Sequence, residues 1–219
     1  MSDCCDPIPY RRFFNSKEAE RRLRNYRRRG LDGTAAGMVD YMTGRGVDGL
    51  SVLEIGGGVG DLQVELLKAG ASSSVNVELS SGYEEAAREL MESEGLGDRM
   101  ERHLGDFVDQ RDLVEPADVV VLNRVICCYP WMDRMMDAAV GKTRSLLAIA
   151  VPRDRRLAHL FVGVGNIING MRGCGFRAYV HPVTAIEDKA SQGGLWPVYF
   201  DAGLVWNGMV FERHRVDIS

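Results

Sequence analysis

Short, almost wholly apolar runs along this chain take turns with stretches in which apolar side chains recur every third or fourth position. The runs Ser51–Ile55, Ser74–Leu79, Met100–Leu104, Ala117–Asn123 and Ser145–Val151 predict buried strands. The run A-D-V-V-V-L-N at 117–123 has the composition of a central strand. Between the runs, Asp61–Ala69 places Leu62, Leu66 and Leu67 on one face, Gly82–Glu94 is rich in Glu and Ala, and Met132–Lys142 adds a further helix. Such alternation predicts an α/β fold, a doubly wound Rossmann-like sheet. Two aromatic strands at about 196–200 and 204–212, around Asp201–Gly203, predict an antiparallel hairpin at the sheet edge. The expected architecture is a seven-stranded sheet with an antiparallel final strand.

Two helices precede the first strand. One spans 15–29, capped by Asn15 or Ser16 and ended by Gly30, with a sparse stripe of Ala19, Leu23 and Tyr26; the other covers about 33–44. They define an N-terminal helical extension, 1–45, ahead of a main domain, 46–219. After Pro152 the alternation breaks. Residues 153–181 read as a lid insertion: an arginine-studded apolar helix (Leu157, Leu160, Phe161, Val164, Ile167, Ile168), a glycine-rich bend and the tail Phe176–His181. A helix at 182–192 follows.

A length of 219 residues with 45% hydrophobic and 26% charged residues suits one such domain and excludes wholesale disorder. No apolar run is long enough to cross a bilayer, and no apolar stretch follows the N-terminal arginines, so the expected compartment is cytoplasmic. The net charge of −4 hides an asymmetry: residues 11–29 carry +7 and the remainder −11. That basic segment marks either an acidic partner or a solvated helix face. Cys4, Cys5, Cys127, Cys128 and Cys174 form no disulfide framework and no C-x-x-C pair, and the four histidines are scattered, so no metal site is expected.

The chemistry concentrates in V-L-E-I-G-G-G-V-G, 52–60, where a buried strand ends in an acidic residue and a glycine turn opens a helix. Gly56, Gly58 and Gly60 let the backbone approach a ligand without Cβ interference. A carboxylate at Glu54 suits a cationic amino-acid group rather than a pyrophosphate. Glu78 ends the next strand, 22 residues after Gly56, and can accept from both hydroxyls of a ribose. Asp106, after the third strand, can receive the amino group of an adenine, with Phe107 packed beside it.

These stretches resemble the class I S-adenosylmethionine-dependent methyltransferases: V-L-E-I-G-G-G-V-G, then V-N-V-E-L-S, then G-D-F, then A-D-V-V-V-L-N-R-V, in that family's order. The resemblance implies S-adenosyl-L-methionine as cofactor. Glu54 and Gly56, Gly58 and Gly60 would line its methionine part, Glu78 and Leu79 its ribose, and Asp106 and Phe107 its adenine, with Asn123 at the fourth strand tip. The flanks look like the magnesium-protoporphyrin IX O-methyltransferase family. F-F-N-S-K-E-A-E-R-R-L-R-N-Y (13–26) is similar to its N-terminal helix, R-V-I-C-C-Y-P (124–130) to its D-x-L-I-H-Y-P segment, and R-A-Y-V-H-P (177–182) also has a counterpart. That resemblance implies a catalytic role for Tyr26. Cys128 stands where the family has histidine, and Arg124 where it has aspartate.

A carboxylate acceptor is already ionised at neutral pH and needs no base, whereas a phenol or amine needs one. His181 is the candidate imidazole for that task, and Tyr129 with Tyr26 a candidate positioner. Arg24, Arg27 and Arg28, with Arg153, Arg155 and Arg156, are expected to clamp an acidic substrate. The expected function is O-methylation of a small, acidic, partly apolar molecule, porphyrin-like by resemblance. The alternatives are a non-catalytic binding module, and a methyltransferase with an N-directed acceptor or one related to thiols or metalloids, the last if Cys4 and Cys5 fold onto Cys127 and Cys128. The segment after the fourth strand lacks the [N/D]-P-P-[Y/F] element of amino-directed DNA enzymes, so nucleic acid is not expected as partner. The apolar lid face allows a peripheral membrane contact or a dimer contact, and the expected state is monomer or homodimer.

Overall fold

The computed structural model describes residues 7–171, 173 and 175–214; Cys4, Cys5 and Cys174, and the side chain of Leu157, lie outside the described set. Three helices come first: α1 (Pro7–Phe13), α2 (Ser16–Arg29) and α3 (Gly33–Arg45). Then follow β1 (Ser51–Ile55), α4 (Asp61–Lys68), β2 (Ser73–Glu78), α5 (Glu84–Glu94), β3 (Met100–Leu104), α6 (Phe107–Gln110) and β4 (Ala117–Asn123). The chain continues through α7 (Met132–Lys142), β5 (Thr143–Pro152), α8 (Arg156–Met171), α9 (Val183–Gln192), β6 (Leu195–Ala202) and β7 (Trp206–Arg213). The short helices α1 and α6 have no apolar periodicity long enough to read in the sequence. Asn15 caps α2 as expected, accepting from the backbone N–H groups of Lys17 and Glu18.

One seven-stranded sheet runs β3-β2-β1-β4-β5-β7-β6. Pairings from β3 to β5 are parallel, and β7 lies antiparallel between β5 and β6. The order reverses between β1 and β4, the switch point at which ligands enter open α/β sheets.

The alternation of side chains along a strand decides how the layers form. Val119 and Val121 of β4 point into one apolar layer with α2, α3, α4 and α5; Val120 and Leu122 point into the other with α6, α7 and α9. Ala19, Leu23 and Met38, from the segment read as an extension, are buried in the first layer together with Val52 and Val210 of the sheet. Among the described residues, no helix is long and apolar enough to cross a membrane.

Candidate active site

At the carboxyl ends of β1, β2 and β4 the chain encloses a cavity of about 250 Å³. Its floor is the glycine turn. Gly56 has φ 65°, where a side chain is strained, and a Cβ there would also meet Val125 Cγ2 at 2.7 Å. Gly57, to which the sequence assigned no role, is the residue that covers Glu54: a Cβ on it would fall 2.5 Å from Glu54 Oε2. Gly58 and Gly60 also have positive φ, and Gly60 caps α4.

Glu54 lies beneath this turn, 1% exposed, and its Oε2 has no hydrogen-bond partner. Burial, and then the charge of Asp61, push its carboxyl well above the usual range, against the pull of Arg22 and Arg102. Glu78 is also buried and also raised by desolvation, but backbone amides hold both its oxygens. Gly58 N donates to Oε2 at 2.9 Å and Ser80 N to Oε1 at 2.8 Å. The glycine turn is therefore tied to the tip of β2. Asp106 caps α6, its Oδ1 accepting from Val108 N at 2.8 Å. Asp106, Phe107, Leu79 and Asn123 all line the cavity, and Asn123 Oδ1 is a second buried acceptor without a partner. The candidate cofactor residues read from the sequence thus line one cavity, except Gly60, which is not among the lining residues.

Beside them lies an ionic network that leaves no mark in the periodicity of the chain. Arg22 of α2 reaches the cavity, where its Nε donates to Asp61 Oδ2 at 2.6 Å; Asp61 is 4% exposed at the side chain. Asp32 joins the two long-range partners: its Oδ2 lies 3.7 Å from Arg22 Nη1 and 2.7 Å from Arg124 Nη2, while its Oδ1 caps α3 through Ala35 N. Arg124 is the one non-glycine residue with positive φ (64°) among the described residues, a conformation that costs of order 1–3 kcal/mol.

The opposite wall is aromatic. Tyr10 and Phe14 line the cavity, and Phe176 packs on Tyr10, Phe13 and Phe14 with ring centroids 4.3–5.5 Å apart. The Tyr10 hydroxyl donates to the carbonyl of Cys128. Tyr129 is buried and lines the cavity; His181 does not, and its Nε2 lies 3.2 Å from the Tyr129 carbonyl oxygen. Tyr26 is elsewhere: it is buried between α2 and α4, its hydroxyl donates to Glu65, and burial raises its pKa. A phenol so placed packs two helices together and is not among the residues lining the cavity.

The arginine clamp expected from α2 is also redistributed. Arg27 pairs with Glu89 at 2.5 Å and Arg24 with Glu20 at 3.5 Å, both on the surface, and Arg22 is the arginine that α2 sends inward. Helical phase explains this: Arg22 and Arg27 flank the buried stripe of Ala19, Leu23 and Tyr26 on opposite sides, so Arg22 meets Asp61 at the cavity and Arg27 meets Glu89 of α5, while Arg24 points away from the stripe. On α8, Leu160, Phe161, Val164, Ile167 and Met171 are exposed rather than turned onto the cavity. Cys127 and Cys128 sit with their sulfurs 3.7 Å apart, and Cys128 lines the cavity. Their hydrogen bond lowers the Cys127 thiol and raises Cys128. Among the described residues, no group of three or more His, Cys, Asp or Glu could hold a metal ion.

No family model matches the chain. Among solved structures, it is similar to magnesium protoporphyrin IX methyltransferase from Synechocystis PCC 6803 with bound SAH. That match has a TM-score of 0.73 at 19% identity over 94% of this chain and 98% of the other. An O-methyltransferase family protein from Burkholderia thailandensis gives a TM-score of 0.67 at 20% identity, over 84% of this chain and 57% of the other. Ribosomal protein L11 methyltransferase of Enterobacter sp. (strain 638) is 31% identical over 94 residues, 43% of this chain and 31% of its own length. The match thus spans about a third of the curated relatives. The fold is that of the S-adenosylmethionine-dependent methyltransferases.

Proposed function

We propose that this protein is an S-adenosylmethionine-dependent methyltransferase that transfers a methyl group to oxygen on a small, acidic, partly apolar molecule. The observation that carries the reading is the buried carboxyl of Glu54, whose Oε2 has no partner, under a glycine turn in which Glu78 holds the amide of Gly58. A ligand's ammonium group supplies the donor that Glu54 Oε2 lacks, and ribose hydroxyls can use the acceptor capacity that Glu78 keeps beyond its two amide bonds. The site therefore fits S-adenosyl-L-methionine, with Glu54 on the amino group, Arg22 near the amino-acid carboxylate, Glu78 on the ribose and Asp106 on the adenine. Bound there, the cofactor supplies a methyl group already activated on a sulfonium.

The residues of this chain then have modest work. Glu54, Glu78 and the glycine turn fix the donor's direction, and orientation of this kind accounts for much of the barrier lowering in bimolecular transfers. Tyr10, Phe14 and Tyr129 close an aromatic wall that excludes water and packs a flat acceptor. A carboxylate acceptor arrives ionised, so no proton needs to move. His181 and Tyr26, outside the cavity lining, are not required in this reading.

The likeness to a magnesium protoporphyrin IX methyltransferase supports a porphyrin carboxylate as the first acceptor to try. Calorimetry should detect S-adenosylhomocysteine binding, with NAD failing to bind. Transfer of radiolabelled methyl should then be screened over acidic acceptors, starting with magnesium protoporphyrin IX. Binding of NAD in place of S-adenosylhomocysteine would overturn the reading. Tight binding with no transfer to any acceptor would favour a non-catalytic module.

A further inference from the structure

We infer that Arg124 is the anchor for a carboxylate of the acceptor, an inference that rests on the methyltransferase reading above. Glu78 and Asp106 occupy the β2 and β3 side of the rim, so the nucleoside takes that half; Arg124 follows the tip of β4 and lines the same cavity. Its backbone N–H donates to Ala150 of β5 at 3.0 Å, and its guanidinium stacks over Trp206 of β7, 4.6 Å from the ring centroid. It therefore faces the cavity from the β4–β5–β7 half.

A φ of 64° at an arginine is held in place by that backbone bond and by Cys127 Sγ donating to the Arg124 carbonyl at 3.4 Å. A strained backbone that aims a long cation into a cavity is a feature to be explained by what the cation meets.

Asp32 takes Nη2 at 2.7 Å, while Nε is buried and has no partner. A guanidinium offers a fork of parallel N–H groups that matches a carboxylate, and a buried N–H left open is costly until something accepts it. Trp206 covers one face of the group and fixes its plane, so little side-chain freedom is lost on binding. Arg22, bonded to Asp61, supplies the cation at the amino-acid end of the cofactor site and leaves Arg124 for the second anion.

The probe pair is deuteroporphyrin IX, a flat dicarboxylate, and its dimethyl ester, titrated by tryptophan quenching into protein saturated with S-adenosylhomocysteine. The wild-type protein should favour the diacid over the ester by about 10- to 150-fold, the range of a charge-assisted hydrogen bond. Arg124→Gln should reduce diacid binding to the level of the ester while S-adenosylhomocysteine affinity, measured by calorimetry, holds. Arg124→Gly, which suits the positive φ, guards against misfolding and should behave alike. Arg124→Lys keeps the charge but loses the fork, and should fall between. Retained diacid preference in the Gln and Gly variants overturns the proposal. So does a parallel loss of S-adenosylhomocysteine affinity, which gives the guanidinium to the cofactor, and so does a wild type that binds the cofactor product but shows no diacid preference. A wild type that fails to bind S-adenosylhomocysteine at all brings down the methyltransferase reading instead.

Discussion

Replacing Glu54 by glutamine should stabilise the free protein and weaken its cofactor binding, two effects of opposite sign from one atom change. In the folded chain Glu54 is buried, Oε2 lacks a partner, and desolvation followed by the charge of Asp61 raises its pKa from 4.5. A folded carboxyl with a raised pKa keeps its proton after the unfolded chain has released it. Below the unfolded pKa the group carries no penalty. Above it, folding stability falls with rising pH, by up to about 1.4 kcal/mol per pH unit, until the folded carboxyl ionises as well. Glutamine cannot ionise, so Glu54→Gln should remove that slope and leave the variant the more stable protein at pH 8. Binding runs the other way. An ammonium donating to an ionised carboxylate loses about 1.5–3 kcal/mol when the acceptor becomes an amide, or about 10- to 150-fold in affinity. Parental affinity for S-adenosylhomocysteine should also rise with pH until Glu54 is ionised, and the variant should show no such rise. Urea denaturation and calorimetry, both from pH 6 to 8.5, measure the two trends. A variant less stable than its parent at pH 8, or one with parental affinity, would refute the assignment of Glu54.

Three further substitutions address the rest of the site. Glu78→Ala removes the acceptor for Gly58 N and Ser80 N and should weaken S-adenosylhomocysteine binding at least tenfold (about 1.4 kcal/mol) by calorimetry; unchanged affinity would displace the ribose assignment. Arg22→Ala leaves Asp61 buried without its cation and should cost about 2–4 kcal/mol in urea denaturation, with Asp61→Asn in the same chain recovering much of it. Failure of the second change to recover stability would show that the pair is not coupled. Tyr26→Phe removes only the hydroxyl bonded to Glu65 and should cost about 1 kcal/mol of stability with turnover intact; lost turnover at unchanged stability would restore a catalytic role.

The sequence carried the features that are local in the chain. Strand runs such as Ala117–Asn123 and helix phases such as Leu62, Leu66 and Leu67 follow from periodicity, which is a property of neighbours. The glycine turn, Glu54 and Glu78 were legible for the same reason: each stands at a fixed offset from a strand end, and parallel strands bring their carboxyl ends to one rim. Gly57 was within reach, because a residue packed over a buried carboxylate two positions beyond a strand end has room only for hydrogen.

Tertiary packing alone decided the rest. Tyr26 and Arg22 are four residues apart on one basic helix, yet the first packs on Glu65 outside the cavity lining and the second enters the cavity. Both meet α4, Arg22 at Asp61 in its first turn beside the cavity and Tyr26 at Glu65 one turn further on, so their place along a helix from a distant segment separates them. Asp32 joins Arg22 to Arg124, 102 positions apart in the chain, and Tyr10 of the unforeseen α1 bonds to Cys128. Ion pairs and hydrogen bonds between remote segments leave no periodic trace, because they depend on where chain ends meet after the apolar layers have closed. The chain's pattern therefore marked the proposed donor side of the site, and the folded arrangement decided which arginines and aromatic rings line the cavity.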